Sequence, residues 1–256
     1  MQILESGKIL VWHSLGDVSG LANDAVVYLY RGRQEWFYAK ERSAVVDKVS
    51  PTYASNFALP IFAELHGALH HYQTRSIRHS SCPIFSGCWY DDKRIFFRNG
   101  PEHWMRDSLT KFLHDHMRGD VEIHPEQNVD TSKPVDIKVT WFNSNRLALI
   151  EIKWLGKART DKKITVEYTE SRARKGAKQL ADYLDKNKPY SSIQVTRGYL
   201  VVIDARRAKT DLSTAAVTAD DGLKYASLEV SYSPAFHDTR TDFEVPFRMF
   251  AEPVIG

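Results

Sequence analysis

Three ionisable residues close together carry the strongest chemical signal in this chain: Asp136, Glu151 and Lys153, within the stretch PVDIKVTWFNSNRLALIEIK that runs from Pro134 to Lys153. The runs 137–142 and 147–152 are rich in β-branched, aromatic and aliphatic residues, and Asn143-Ser144 between them is turn chemistry, so the pattern predicts a β-hairpin. With Asn143 and Ser144 as the loop, Phe142 pairs with Asn145, and counting down the ladder sets Asp136 opposite Glu151. Opposed residues share a face, and so do Glu151 and Lys153, two apart on one strand. One strand pair thus gathers two carboxylates and an ammonium. An odd loop without a bulge would turn one carboxylate away.

Their neighbours Ile137, Val139, Trp141, Leu147, Leu149, Ile150 and Ile152 are apolar on both faces, which places the strands in a sheet covered by helices. Ionised groups there are costly unless they pair or bind a metal. A buried ion pair between Lys153 and one carboxylate is the bland explanation.

The elements that must position these groups are legible on either side. Before the hairpin, Pro101 suits a first helical turn, and Met105, Leu109, Phe112 and His116 continue the face of Glu102, which predicts an amphipathic helix ending near Gly119. An acid in a first turn is also favoured by the helix dipole alone. After the hairpin, a helix is expected from about Ser171 to Leu184, with Ala173, Ala177, Leu180 and Leu184 as its apolar stripe and Lys175, Gln179 and Tyr183 as a polar stripe beside it. Gly198–Asp204 (GYLVVID) reads as a buried strand, parallel because a helix precedes it. Ala226–Tyr232 and Phe243–Phe250 supply late strands. Between hairpin and helix lies a basic cluster, Lys157, Arg159, Lys162, Lys163, Arg172, Arg174, Lys175 and Lys178, whose bland reading is a solvated helix face.

The first hundred residues are less informative. Lys8–His13, Ala25–Arg31 and Glu35–Ala39 read as strands, the last two joined at Gly32, with Trp36, Phe37 and Tyr38 as packing residues. Ser50-Pro51 opens a helical spacing through Phe57, Ile61, Leu65 and Leu69, with Pro60 as a start or kink. His66, His70, Cys82 and Cys88 invite a zinc reading. His66 and His70 share a helix face, but the cysteines lack the tight spacing of common zinc knuckles, so a histidine-rich helix edge is preferred. Tyr90–Arg98 reads as a turn and short strand, and Asn99-Gly100 sets a boundary. The expected organisation is an N-terminal β-rich and helical region over 1–99 and a core domain over 100–256. The fold class is α/β, a mixed central sheet flanked by helices with a β-rich N-terminal extension.

Composition permits this and excludes little else. The 256 residues are 43% apolar and 26% charged, with a net charge of +3, which suits a globular chain with an ample core. A polyanion site must therefore come from local clustering. Two cysteines, no secretory leader pattern and no apolar run of membrane-spanning length lead to an expectation of a cytoplasmic protein with reduced thiols.

The succession of a helix bearing Glu102, a strand pair bearing Asp136 and Glu151-Ile152-Lys153, a helix and a buried strand resembles the PD-(D/E)XK nuclease superfamily, with its restriction-endonuclease-like core. Glu151-Ile152-Lys153 matches the second half of that motif as written, while Pro134-Val135-Asp136 departs from a literal Pro-Asp by one inserted residue. Gln179-Leu180-Ala181-Asp182-Tyr183 is similar to the Q-x-x-x-Y element of RecB-type and lambda-type exonucleases. The resemblance spans about Pro101 to Asp204. It implies a Mg2+-dependent DNA nuclease, with Mn2+ able to substitute, whose catalytic residues are Asp136, Glu151, Lys153, Glu102, Gln179 and Tyr183. Magnesium prefers oxygen ligands and keeps several waters, so Asp136, Glu151, the Ile152 carbonyl and Glu102 are the expected ligands. Lys153 would orient the attacking water, Gln179 and Tyr183 would hold the water network or the phosphate, and the basic cluster would track the DNA backbone. An endonuclease is the expected form, because nothing resembling a helicase partner or threading ring is legible. Defence against foreign DNA, mobile-element processing or repair would be its setting, with protein partners in a larger complex conceivable. The competing readings are an inactive nuclease-fold binding or assembly module and a zinc-organised interaction protein.

Overall fold

The computed structural model describes residues 2–3, 9–10, 19–23, 26–31, 34–40, 42–46, 62–117, 121–128, 134–141, 145–188 and 195–256. The chain divides into two compact units, Met1–Leu59 and Pro60–Gly256. In the first, β1 (Gln2–Ile3), β2 (Ile9–Leu10), β3 (Val26–Arg31), β4 (Gln34–Ala39) and β5 (Arg42–Val46) form a five-stranded antiparallel sheet in the order β2-β1-β3-β4-β5. Trp36 and Tyr38, on one face of β4, stack with ring centroids 6.3 Å apart. The expected turn at Gly32 and helix start over 51–61 lie outside the described residues.

The second unit runs α1 (Phe62–Tyr72), a π-helical turn Gln73–Ile77, α2 (Pro83–Ser86), α3 (Glu102–His116), β6 (Val121–Asn128), β7 (Pro134–Trp141), β8 (Arg146–Arg159), β9 (Ile164–Tyr168), α4 (Glu170–Asn187), β10 (Val195–Asp204), α5 (Ala219–Leu223), α6 (Phe236–Thr239) and β11 (Phe247–Phe250). Its sheet has the order β11-β10-β8-β7-β6, with β9 on β8 outside that path. β6–β7–β8 is an antiparallel meander, and β10 lies parallel to both β8 and β11. The unit is therefore α/β with a mixed, partly parallel sheet flanked by helices. The helix α4 between β8 and β10 makes their parallel pairing possible, since parallel neighbours need a long crossover.

Side-chain alternation on β8 explains the two layers. Ala148, Ile150, Ile152 and Trp154 join Leu65 and Leu69 of α1 and Met105, Leu109 and Leu113 of α3 in one core. Leu147, Leu149 and Leu155 join Ala173, Ala177, Leu180 and Leu184 of α4 in the other. Glu151 and Lys153 belong by parity to this second face. Because helices cover both faces, β8 is buried almost without interruption from Leu147 to Gly156.

Several elements depart from the sequence reading. Tyr90–Arg98 forms turns and isolated bridges, Trp89 to Phe97 and Phe97 to Ala158, in place of a strand. The stretch 226–232 is irregular, and the last strand is only Phe247–Phe250. In both places apolar residues pack against the core without a full ladder, and burial patterns alone do not distinguish the two. β9 is an addition to that reading. β8 continues past Lys153 to Arg159 because β9 folds back on it from Gly156, which has φ 131° and where an added Cβ would lie 2.9 Å from the Ala205 carbonyl oxygen. The tail beyond β11 stitches the unit together: Glu252 N–H donates to the Arg78 carbonyl and Val254 N–H to that of Lys93. Buried Arg207 donates to the carbonyls of Arg94, Arg206 and Ala251.

Gly176 of α4 passes directly over β8, where an added Cβ would lie 2.5 Å from Lys153 Cγ and 3.1 Å from Leu200 Cδ1. Gly176→Ala should therefore destabilise by about 1–3 kcal/mol through overpacking, although alanine in an open helix position stabilises by roughly 1 kcal/mol. Gly67 of α1, around which an added Cβ meets nothing within 4 Å, is the control. Gly67→Ala should raise the urea midpoint and Gly176→Ala should lower it; a rise in both would show that α4 does not press on Lys153.

Candidate active site

The β7–β8 ladder pairs Ile137 with Ile150 and Trp141 with Arg146, and continuing that register sets Asp136 opposite Glu151 as the sequence implied. The turn residues Asn143 and Ser144 themselves lie outside the described residues. Pairing of β8 with β7 stops at Ile150 and pairing with β9 begins at Gly156, so from Glu151 to Leu155 the ladder partner of β8 is β10. In that gap Ile152 N–H donates to Asp136 Oδ2 at 2.7 Å. A side chain thus replaces the missing strand and fixes Asp136 beside the Glu151–Lys153 segment.

Glu151 and Lys153 are buried, at 1% and 7% exposure, and Lys153 Nζ donates to Glu151 Oε1. Glu151 Oε2 is equally buried and has no hydrogen-bond partner among the described residues. A charged oxygen left without a partner in a core is strongly unfavourable. The Glu151 carboxyl is accordingly pushed up to about 7, by burial first and by the Asp136 charge second, with Lys153 and Arg172 opposing. Burial also raises the Asp136 carboxyl; Ile152 N–H, Lys153 and Arg106 pull it down, and Glu102 adds to the rise. Two crowded carboxylates with an unsatisfied oxygen are what a hard divalent cation would relieve.

The remaining sequence candidates take distinct places. Glu102 opens α3, and its Oε1 accepts from Trp154 Nε1 at 2.8 Å and lies 3.9 Å from Arg172 Nη2. Among the described residues, no three His, Cys, Asp or Glu side chains gather as a metal site; Asp136 and Glu151 face each other across the strand pair, while Glu102 is engaged by Trp154 and Arg172. The competing zinc set does not gather among the described residues either: the His66 and His70 rings pack against each other and Phe247, and Cys82 accepts from Ser108. Gln179 Nε2 donates to Tyr183 Oη at 2.6 Å, and Tyr183 donates to the Pro134 carbonyl at 3.1 Å. This brace ties α4 to the start of β7, two residues before Asp136. Burial raises the Tyr183 phenol and the charges of Glu151 and Asp136 add to the rise, while Gln179 opposes it.

The basic cluster divides. Lys157 donates to the Thr210 carbonyl at 2.5 Å, Arg159 to that of Leu212 at 2.9 Å, and Arg174 to that of Ser231 at 2.8 Å, so these three anchor the chain that follows β10. Arg172 lies over the Tyr168 ring at 4.6 Å, beside the carboxylates. Lys162, Lys163, Lys175 and Lys178 are exposed. Sequence reasoning missed Trp154, which holds Glu102, and Arg106, whose charge acts on Asp136. Helical spacing was the available signal for Arg106, four residues after Glu102 and therefore on the same side of α3.

The raised carboxyls carry a stability consequence whose sign is fixed. A carboxyl with a folded pKa above its unfolded value, 4.5 for Glu151 and 3.8 for Asp136, burdens the fold once pH rises past the unfolded value. For Glu151 the burden is complete above about pH 7. Asp136→Asn removes one such group and the repulsion it exerts on the other. In chelator the variant should melt above wild type at pH 8, by about 2–4 °C for each kcal/mol regained, with the gap narrowing towards pH 4. Identical melting curves at pH 8 would refute this electrostatic account.

Comparison with protein-family models gives no match, and comparisons with curated proteins and with solved structures give none. The functional reading therefore rests on the residues and their geometry.

Proposed function

We propose that this protein is a Mg2+-dependent deoxyribonuclease of the PD-(D/E)XK type, acting as an endonuclease. The observation that carries the reading is the placement of Asp136, Glu151 and Lys153 together in the strand gap of a buried sheet, with Glu151 Oε2 lacking any partner. An ion pair alone would need one carboxylate; this arrangement has two, and their mutual repulsion opposes folding. The order α3, β6–β8, α4, β10, with a parallel last pair, supports the restriction-endonuclease-like reading of the core. Among the described residues no helix is long and apolar enough to cross a membrane.

Asp136 and Glu151 would hold the cation, joined by the Ile152 carbonyl and by waters. When bound, Mg2+ supplies charge to polarise the phosphodiester and to ease ionisation of a water. The protein's own groups would do the rest. Lys153, beside Glu151, would orient the attacking water and offset negative charge developing on the phosphorus oxygens. The water oxygen would bond to phosphorus and give up a proton to solvent, while the bond from phosphorus to one ester oxygen breaks and that oxygen takes a proton from a solvent water and leaves as a hydroxyl. Gln179 and Tyr183 would hold β7, and with it Asp136, in register through Pro134. Trp154 would keep Glu102 beside the site, and Arg172, Lys175 and Lys178 would meet the DNA backbone from α4.

The test is cleavage of linear, closed-circular and single-stranded DNA, and of RNA, by wild type and Lys153→Ala in Mg2+, Mn2+ or chelator. Wild type should cut closed circles only with a divalent ion, and Lys153→Ala should be slower by about 10²–10³-fold, as for loss of one group that stabilises transition-state charge. Undiminished cutting by Lys153→Ala sinks the catalytic assignment. A wild type that binds DNA but never cuts it would be an inactive binding module of the same architecture.

A further inference from the structure

Arg106 stands one helical turn beyond Glu102 on α3, with its side chain 17% exposed. Its Nη1 lies 2.5 Å from Glu126 Oε1. Its Nε is buried and has no hydrogen-bond partner among the described residues, with Asp107 Oδ1 3.7 Å away. Among the described residues, Glu126 is thus the one carboxylate close to the guanidinium, and the Nε edge of the group is left over. That carboxylate lies at the surface, for Glu126 is 60% exposed. It also sits on β6 at a telling position: Pro125 pairs with Ile137 and Gln127 with Val135, so Glu126 falls opposite Asp136. Its backbone has φ 51°, in the left-handed region that side-chain-bearing residues adopt at a cost. A strained, exposed acid therefore lies at the rim of the carboxylate site and engages a mostly buried arginine.

A carboxylate and a phosphate offer the same paired oxygens to a guanidinium, and the phosphate offers more charge. We propose that Arg106 binds a backbone phosphate neighbouring the scissile one, and that in the free protein Glu126 occupies the place of that phosphate and is displaced by it. This rests on the nuclease reading of the site, to which it adds a phosphate-binding residue and a built-in competitor. Glu126 then lowers affinity for any polyanion without contributing a group to the reaction, and Arg106 is unavailable until a phosphate outcompetes the acid.

A double-mutant cycle on the full chain tests it. Binding of a duplex oligonucleotide is measured by fluorescence anisotropy in Ca2+, across a salt series, for wild type, Glu126→Gln, Arg106→Ala and the double variant. Glu126→Gln should tighten binding by about fivefold. Arg106→Ala should weaken it by about tenfold and lower the salt slope by about one. In the Arg106→Ala background the gain from Glu126→Gln should disappear. Arg106→Lys, which keeps the stem and the charge but not the paired donors, serves if the alanine variant does not fold, and it should shrink the gain in the same way. An unchanged or weaker Glu126→Gln, or the same gain with and without Arg106, overturns the proposal, the latter because Glu126 would then be only a negative charge near DNA. The cycle needs no turnover. Coupling in a protein that never cuts upholds the phosphate site and removes the nuclease reading; cutting without coupling does the reverse.

Discussion

The desolvation of Glu151 beside Asp136 is the constraint on which the rest of the unit turns. A sheet strand covered on both faces has no water to offer a carboxylate, and a neighbouring strand would normally use the backbone groups nearby. Here the pairing of β7 with β8 ends at Ile137, the Asp136 side chain takes the Ile152 N–H, and Glu151 keeps one oxygen without a partner among the described residues. Every element around the gap serves that arrangement. The Gln179–Tyr183 pair fixes where β7 begins, Gly176 leaves room for the Lys153 stem, and Trp154, on the α3 face of β8, holds Glu102. The site is thus a place where local stability is given up in a scaffold that supplies it elsewhere.

The two helices flanking the site divide the work. α3 presents Glu102 and Arg106 from the layer packed by α1, and α4 presents Arg172, Gln179 and Tyr183 from the other. The charges alternate: three of the four carboxylates have a cation near them, Lys153 for Glu151, Arg172 for Glu102 and Arg106 for Glu126, while Asp136 takes the Ile152 N–H.

Much of the core was legible because period and chemistry agreed there. The Asp136–Glu151 register followed from a polar turn between two apolar runs, and the α4 stripe followed from helical spacing; both are short-range signals. The same reasoning failed where tertiary context decides. Nothing local in Ile164–Tyr168 says that it folds back onto the end of β8, and the apolar run 226–232 packs without forming a strand. Lys157, Arg159 and Arg174 read as free cations in the sequence, yet they donate to backbone carbonyls of the chain after β10, contacts made across about fifty residues. Charge runs show that cations are present, and only packing shows which of them are already engaged.

The stitching of the last residues to the stretch between α1 and α3 sets the order in which the unit can come together. Arg78 and Lys93 find their backbone partners in Glu252 and Val254, and Arg207 bridges Arg94 to Ala251. Contacts this distant in sequence form slowly, because the intervening loop must close before they contribute. During synthesis the meander carrying Asp136 and Glu151 emerges long before residue 247. The β11 edge of the sheet can therefore be completed only after the meander, α4 and β10 have all been made.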